Sequence, residues 1–315
     1  MRSSGLLAPL LVIIPALVSC SSKLPSENEN GPIAGGGFGN DAGGGNGSSG
    51  SLGGGKTPGA PNDVGCSDAS KLVYVVDDAN NLYSFAPDKL LFSPVGRMSC
   101  PTAETPNSMA IDRAGAAWVN FSGGSLFKVS TSDASCQATG FTPGQGGFKK
   151  FGMAFATNSA TSQDETLFVV GTLGSLAGKG LAKIDLRTMK LTTLGDFSGA
   201  LAGQGAELTG TGDGRLFGFF TTQPFATLAQ IDKASGATTA NQPLNGVNTG
   251  FDWAVSFWGG DFWFYTSPGG VPSTVTRKQT STDGSIATAK QDVGGFRIVG
   301  AGVSTCAPTA PPAPR

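Results

Sequence analysis

From residue 66 onward, short apolar runs alternate with clusters of turn-forming residues. Five stretches of similar pattern align with one another, and each predicts a strand, a tight turn and a second strand. These stretches cover residues 82–96, 126–140, 181–195, 228–242 and 275–289. Their turns contain pairs such as Ser235-Gly236 and Asp283-Gly284, where glycine adopts a positive φ without steric cost. The pattern therefore predicts five hairpins of a repeated unit.

An apolar run with an aromatic residue near its middle precedes each of these hairpins. The aromatic residues are Tyr74, Trp118, Phe168, Phe217 and Trp263. They are 44, 50, 49 and 46 residues apart, which is the length of one four-stranded repeat. Because they occur in mid-strand at this spacing, we interpret them as residues that pack between repeats.

A further strand is predicted ahead of four of these aromatic runs, at residues 107–112, 151–156, 205–210 and 251–256. A fifth copy, FRIVGA at 296–301, is followed only by a cysteine and a proline-rich tail, whereas no copy precedes the first aromatic run. The last strand is therefore predicted to be the innermost strand of the first repeat. This arrangement closes a ring of five sheets and removes their unpaired edges.

The repeat length and strand order over about residues 66–306 resemble those of five-bladed β-propellers. The resemblance implies an all-β fold, closed by the C-terminal strand, with a ligand site at one mouth of a central channel. No signature motif of a particular propeller family accompanies it. A β-sandwich is the alternative fold; it would explain the short strands but not the repeat length or the orphan strand.

The N-terminal segment has a different pattern. Its apolar run at residues 6–18 is thirteen residues long, whereas a membrane-spanning helix needs about 20. With Arg2 before it and small residues after it, this run is typical of an export signal. LVSC at residues 17–20 resembles the lipobox of bacterial lipoproteins. The alternative is an ordinary secretory signal with an unmodified cysteine.

The lipobox resemblance implies a signal peptide at residues 1–19 and a lipid on Cys20 that anchors the protein to a membrane. With Ser21 next, it also implies the outer membrane, facing the periplasm or the cell surface. Residues 20–65 are rich in glycine and serine, so they are predicted to form a disordered, flexible tether spanning roughly 35–40 Å. The propeller would occupy residues 66–306, and a proline-rich tail residues 307–315.

Four cysteines remain once Cys20 is assigned to lipid. In an exported chain they indicate two disulfides, with three pairings open. We favour Cys66 with Cys306, at the predicted ring closure, and Cys100 with Cys136, between the outer strands of the first two repeats. Free buried thiols are the alternative. No CxxC spacing occurs in the sequence, so a zinc cluster is not indicated.

Charge and composition exclude several functions. The chain has 21 Lys and Arg against 22 Asp and Glu, a balance that argues against a nucleic-acid partner. It contains no histidine, which excludes a Ser-His-Asp triad and every metal centre with a histidine ligand. The sequence predicts no cofactor, no metal site and no recognisable catalytic set.

Candidate binding residues come from aligning the five predicted inner strands. One predicted ring contains Ser108, Gly152, Ala206, Asp252 and Arg297, and the next contains Met109, Met153, Glu207, Trp253 and Ile298. We predict a ligand-binding rim at the channel mouth formed by Asn107, Glu207, Asp252, Trp253 and Arg297. Asp252 and Arg297 would lie on neighbouring repeats, where they could form either a structural ion pair or part of this rim. Trp253 would offer a flat face to a sugar or peptide ring.

Two classes of function follow. The first is a membrane-anchored binding or scaffolding module for a glycan, peptide or protein. The alternative is a glycoside hydrolase or lyase that works with carboxylates alone at the channel mouth. Its candidate acids would be Glu207, Asp252 and Asp112, although their spacing does not single them out.

Overall fold

The structure is a computed structural model that describes residues 65–171 and 179–312. Within these ranges, twenty strands form five four-stranded antiparallel sheets, called blades 1 to 5. The predicted signal peptide, Cys20 and tether residues 20–64 lie outside the described residues, as do tail residues 313–315. The described part of the chain has no helix long and apolar enough to cross a membrane.

The strands of each blade follow one another from the innermost, at the central channel, to the outermost. Blade 1 consists of β20 (Ile298–Val303), β1 (Val73–Asp77), β2 (Asn81–Ala86) and β3 (Leu91–Arg97). Blade 2 consists of β4 (Pro106–Ile111), β5 (Ala117–Phe121), β6 (Leu126–Val129) and β7 (Cys136–Ala138). Blade 3 consists of β8 (Phe151–Thr157), β9 (Glu165–Gly171), β10 (Leu181–Asp185) and β11 (Lys190–Gly195).

Blade 4 consists of β12 (Glu207–Gly210), β13 (Leu216–Phe220), β14 (Thr227–Ile231) and β15 (Thr238–Pro243). Blade 5 consists of β16 (Asp252–Trp258), β17 (Asp261–Ser267), β18 (Thr274–Lys278) and β19 (Ile286–Lys290). Short 3-10 turns occur at Ala69–Lys71, Gln145–Gly147, Gly199–Leu201 and Pro268–Gly270. The inner strands contact one another in the closed order β4, β8, β12, β16, β20 and back to β4. The fold is therefore a five-bladed β-propeller, as predicted.

The ring closes through the C-terminal strand. β20 pairs antiparallel with β1, with Val73 opposite Val303 and Val76 opposite Gly300. A disulfide joins Cys66 to Cys306 beside this seam, with 5.7 Å between their Cα atoms. A second disulfide joins Cys100 to Cys136 and links the outer parts of blades 1 and 2. Both predicted pairings are confirmed.

The core lies between the blades. In the described ranges, each hydrophobic cluster combines buried residues from two neighbouring blades, such as Tyr74 of blade 1 with Ile111 of blade 2. Phe219 and Phe264 similarly bring blades 4 and 5 together, with ring centroids 4.9 Å apart. The five repeated aromatic residues are all buried. Their predicted role in packing between repeats is confirmed.

The predicted inner rings are only partly right. The residues paired with the five repeated aromatics are Gly302, Ala110, Ala154, Thr209 and Ser256. Two positions earlier along each inner strand, the equivalent residues are Gly300, Ser108, Gly152, Glu207 and Ala254. The prediction was correct for Ser108 and Gly152. In the other three blades the predicted residue came too early in the chain: by one position in blade 4 (Ala206), by two in blade 5 (Asp252) and by three in blade 1 (Arg297).

The error has a physical cause in the turns that follow the inner strands. Only Gly259 and Gly260 join β16 to β17, whereas residues 158–164 join β8 to β9. Matching apolar patterns therefore does not fix the register. Glycine is needed at one position of the corrected ring because the inner strands approach closely there: a Cβ atom on Gly152 would lie 2.1 Å from the carbonyl oxygen of Ala206.

Candidate functional site

A cavity of about 520 Å³ lies at the channel mouth where the inner strands begin. It is lined by all five predicted rim residues: Asn107, Glu207, Asp252, Trp253 and Arg297. It is also lined by residues that sequence analysis missed: Asp78, Thr105, Pro106, Lys150, Phe251 and Val299. Asp252 is the first residue of β16 and Arg297 directly precedes β20. The corrected register places both nearer the mouth than the ring that contains Glu207.

The backbone around Arg297 is fixed by its neighbours. The ring of Phe296 stacks on Tyr83, with centroids 4.2 Å apart and planes within 1°. On the other side, the Ile298 amide donates a hydrogen bond of 2.8 Å to Ser273 Oγ. The two glycines before Phe296 donate their amides to the carboxylate of Asp292. This segment therefore presents the Arg297 guanidinium at the mouth.

Arg297 joins the first and last blades electrostatically. Its Nε donates to Asp78 Oδ2 at 3.0 Å, and its Nη2 pairs with the same carboxylate. Its Nη1 lies 3.0 Å from Asp252 Oδ2. The hydrogen bond from Arg297 to Asp78 raises the pKa of Arg297 above its usual value, so the guanidinium is held in its charged form. The predicted ion pair of Asp252 and Arg297 is present, and Asp78 extends it.

The carboxylate of Asp252 is partly buried by its ion pair. Its Oδ2 atom is buried and lies 3.0 Å from Arg297 Nη1, without an aligned hydrogen bond from any described residue. Burial raises the pKa of Asp252, and the positive charge of Arg297 opposes this shift. The Asp252 side chain is 21% exposed and lines the cavity, so the carboxylate can still accept a hydrogen bond from that side.

Glu207 lies below this ion network. It is 3% exposed, and Ser108 Oγ donates a hydrogen bond of 2.7 Å to its Oε2. The bond crosses the channel from blade 2 to blade 4. Burial raises the pKa of Glu207 to about 8, an effect that the Ser108 hydrogen bond partly offsets. Near pH 7 most Glu207 side chains are therefore neutral carboxylic acids, which both donate and accept hydrogen bonds.

Asn107 supports the wall of the cavity. Its Nδ2 donates to Asn120 Oδ1 and to the Phe151 carbonyl, each at 3.2 Å. These bonds connect blade 2 to the start of β8 in blade 3. Asn107 therefore positions the neighbouring strand, and its amide hydrogens are already engaged.

Two aromatic residues form the apolar part of the site. Trp253 is half-buried against the cluster between blades 4 and 5. Phe251 is 73% exposed, although its backbone is held by a hydrogen bond from its amide to the Ser267 carbonyl. Together, Phe251 and Trp253 place apolar surface at the edge of the cavity. Phe251 is the first residue of the predicted strand 251–256, but only the two positions after it were considered as inward-facing rings, so it was not selected as a site residue.

Of the three candidate catalytic carboxylates, Glu207 and Asp252 line the same cavity, whereas Asp112 does not. Asp112 follows the end of β4, where it accepts hydrogen bonds from the Ala116 amide and Trp118 Nε1. It is thus at the opposite end of the blade from Glu207 and Asp252, because β4 begins at the mouth and ends away from it. No group of three or more acidic or cysteine side chains that could hold a metal occurs in residues 65–171 and 179–312.

No family model matches the chain, and no curated protein matches it. Among solved structures, it is similar to a gluconolactonase from Xanthomonas campestris, at 12% identity over 72% of this chain and 74% of that one, with a TM-score of 0.46. It is also similar to regucalcin, a calcium-binding protein from Agrobacterium tumefaciens, at 15% identity over 75% of each chain, with a TM-score of 0.41. Hydrazine synthase from Kuenenia stuttgartiensis has 14% identity, coverages of 73% and 69%, and a TM-score of 0.38. These likenesses concern the fold alone.

Proposed function

We propose that the protein is a membrane-anchored binding module that holds a small ligand at the mouth of its propeller channel. The cavity carries the proposal, because it combines an ion network, a neutral acid and two aromatic side chains in about 520 Å³. Sites for small ligands have this character, with volumes of roughly 300–1,000 Å³ and a few convergent polar groups. The ligand would enter from the side of Phe251.

The site hypothesis predicts that truncating Arg297 or Trp253 weakens binding. Arg297→Ala removes the charged donor, and Trp253→Ala removes apolar contact area. Each change is expected to lower affinity about tenfold or more, as is common for arginine and tryptophan anchors. The measurement is binding of the full chain in detergent to an array of oligosaccharides and peptides.

Arg187→Ala is the matched control for Arg297→Ala, because Arg187 is exposed in a turn of blade 3 away from the mouth. Circular dichroism melting of every variant separates lost binding from lost folding. Binding that persists unchanged in both Arg297→Ala and Trp253→Ala would remove the channel mouth as the ligand site.

The anchoring part of the proposal rests on LVSC at residues 17–20 and predicts lipid on Cys20. Cells fed an alkyne-bearing fatty acid should label the wild-type protein, whereas Cys20→Ala should remove the label because the acceptor thiol is gone. Ser21→Ala keeps the thiol and serves as the control. An unlabelled wild-type protein, or a labelled Cys20→Ala variant, would contradict lipidation at this position.

A carboxylate-dependent hydrolase or lyase is the second candidate. Glu207 favours it, because a buried acid that stays protonated near neutral pH is suited to protonate a leaving group. Asp252 would be the second carboxylate. In that case the wild-type protein should cleave an oligosaccharide that it binds, and Glu207→Gln should abolish cleavage while retaining binding. A bound oligosaccharide recovered intact after prolonged incubation would favour the binding module.

A further inference from the structure

The charges at the channel mouth balance. Asp78 and Asp252 are negative, and Arg297 and Lys150 are positive. Glu207 adds little charge near pH 7, because burial keeps most of its carboxyl groups protonated. The two acids and two bases therefore cancel within one cavity. A ligand that carried a net charge would leave one charge of this set unpaired in a partly buried site, which is unfavourable.

The hydrogen-bonding groups of Asp252 and Arg297 at the cavity match those of ligand hydroxyls. A hydroxyl both donates and accepts, so one group can donate to the carboxylate of Asp252, whose side chain is 21% exposed, and its neighbour can accept from Arg297, whose side chain is 35% exposed. An ammonium would compete with Arg297 for both acids. A carboxylate would compete with Asp78 and Asp252 for the guanidinium.

The aromatic residues add an apolar surface beside these polar groups. Phe251 lies at the rim with 73% of its surface exposed, and Trp253, two residues later, lines the same cavity. A sugar ring has the matching character, since its C–H face is apolar and its edge carries hydroxyls. Aromatic side chains bury such a face at little conformational cost.

We propose that the channel mouth binds a neutral saccharide, with Phe251 and Trp253 against the apolar face of one ring and Asp252 and Arg297 on its hydroxyls. This inference rests on the proposed function and specifies its ligand class. The charge balance disfavours saccharides that bear carboxylate or amine groups at the bound ring. It disfavours a peptide with a net charge for the same reason.

The test uses the full chain in detergent and four probe sets. They are neutral oligosaccharides of glucose, galactose, mannose and xylose; uronate oligomers; glucosamine oligomers; and acidic and basic peptides. Wild-type protein is expected to bind at least one neutral set and to bind the charged sets at least about tenfold more weakly. Phe251→Ala is expected to weaken the neutral binding about tenfold without affecting folding, because the side chain is mostly exposed.

Phe225→Ala is the matched control, because Phe225 is also a large exposed side chain, at 49%, but does not line this cavity. Asp252→Asn removes one negative charge and is expected to shift preference towards uronate oligomers. If only charged sugars or peptides bind, and Arg297→Ala weakens that binding, the saccharide inference is wrong while the proposed function stands. If nothing binds, or if no mouth variant alters binding, the proposed function itself is overturned.

Discussion

Replacing Cys66 and Cys306 together by serine is expected to destabilise the propeller by about 5 kcal/mol. The disulfide joins residues separated by 240 positions, and in the chain-entropy model the constraint on the unfolded chain grows with the length of the closed loop. Replacing both cysteines avoids leaving either partner of this disulfide as a free thiol. Urea denaturation under non-reducing conditions measures the loss as a lower free energy of unfolding.

The second disulfide supplies the control for this prediction. Cys100 and Cys136 are 36 positions apart, so their double replacement is expected to cost about 4 kcal/mol, somewhat less than the seam pair. Hydrogen exchange separates the two variants more sharply. Loss of the Cys66–Cys306 disulfide should increase exchange in β20, where the ring closes, whereas loss of the other disulfide should leave β20 protected. Equal protection of β20 in both variants would contradict a special role for the seam disulfide.

The fold was predictable because the same pattern of strands and turns occurs five times in the sequence. The aromatic period gives the blade length, and the strand left over at the C-terminus leaves ring closure as the simplest way to pair every edge. The register within each blade was not predictable in the same way. It depends on the turn after each inner strand, such as the Gly259-Gly260 turn, and the apolar pattern does not encode the length of that turn.

The candidate site was predictable to the extent that it lies on or next to the inner strands. Glu207, Asp252 and Arg297 stood out there as polar residues at otherwise apolar or small positions. Asp78 was missed because it lies in the turn after β1, and its role depends on β20 pairing with β1 across the seam. Phe251 was missed because it was placed at the start of the predicted strand 251–256, before the positions considered as rings, whereas in the structure it directly precedes β16.

The ion network at the seam also shows why the rim and the closure are linked. Asp78 lies just beyond β1 and Arg297 just before β20, and their side chains pair. The Asp78 amide also donates to the Arg297 carbonyl at 3.1 Å. The same contacts that close the ring therefore hold the guanidinium towards the cavity. Opening the seam is expected to disturb the site, whereas changes in the outer strands of blade 3 are not.

Replacing Glu207 by glutamine is expected to stabilise the protein at alkaline pH and to have little effect at pH 4. The folded carboxyl has a pKa of about 8, compared with an ordinary value of 4.5. Below pH 4.5 the Glu207 carboxyl is protonated in both the folded and the unfolded state, so it does not lower the free energy of unfolding. As the pH rises towards 8, the unfolded state gains stability by releasing the proton, so the folded state loses relative stability. The total loss is up to about 5 kcal/mol at 1.36 kcal/mol per pKa unit.

Glutamine keeps the shape of the neutral acid and can accept the hydrogen bond from Ser108, but it does not ionise. The difference in free energy of unfolding between Glu207→Gln and wild type should therefore grow from pH 4.5 to 8 and then level off. Glu165, whose pKa burial raises to about 7, lowers the stability of both proteins over the same interval, so only the difference isolates Glu207. Ser108→Ala is the control: removing a donor that favours the ionised form should raise the pKa of Glu207 further, so that the loss of stability continues to a higher pH. A difference that stays constant across this interval would mean that Glu207 ionises normally and that the acid at the channel mouth is charged.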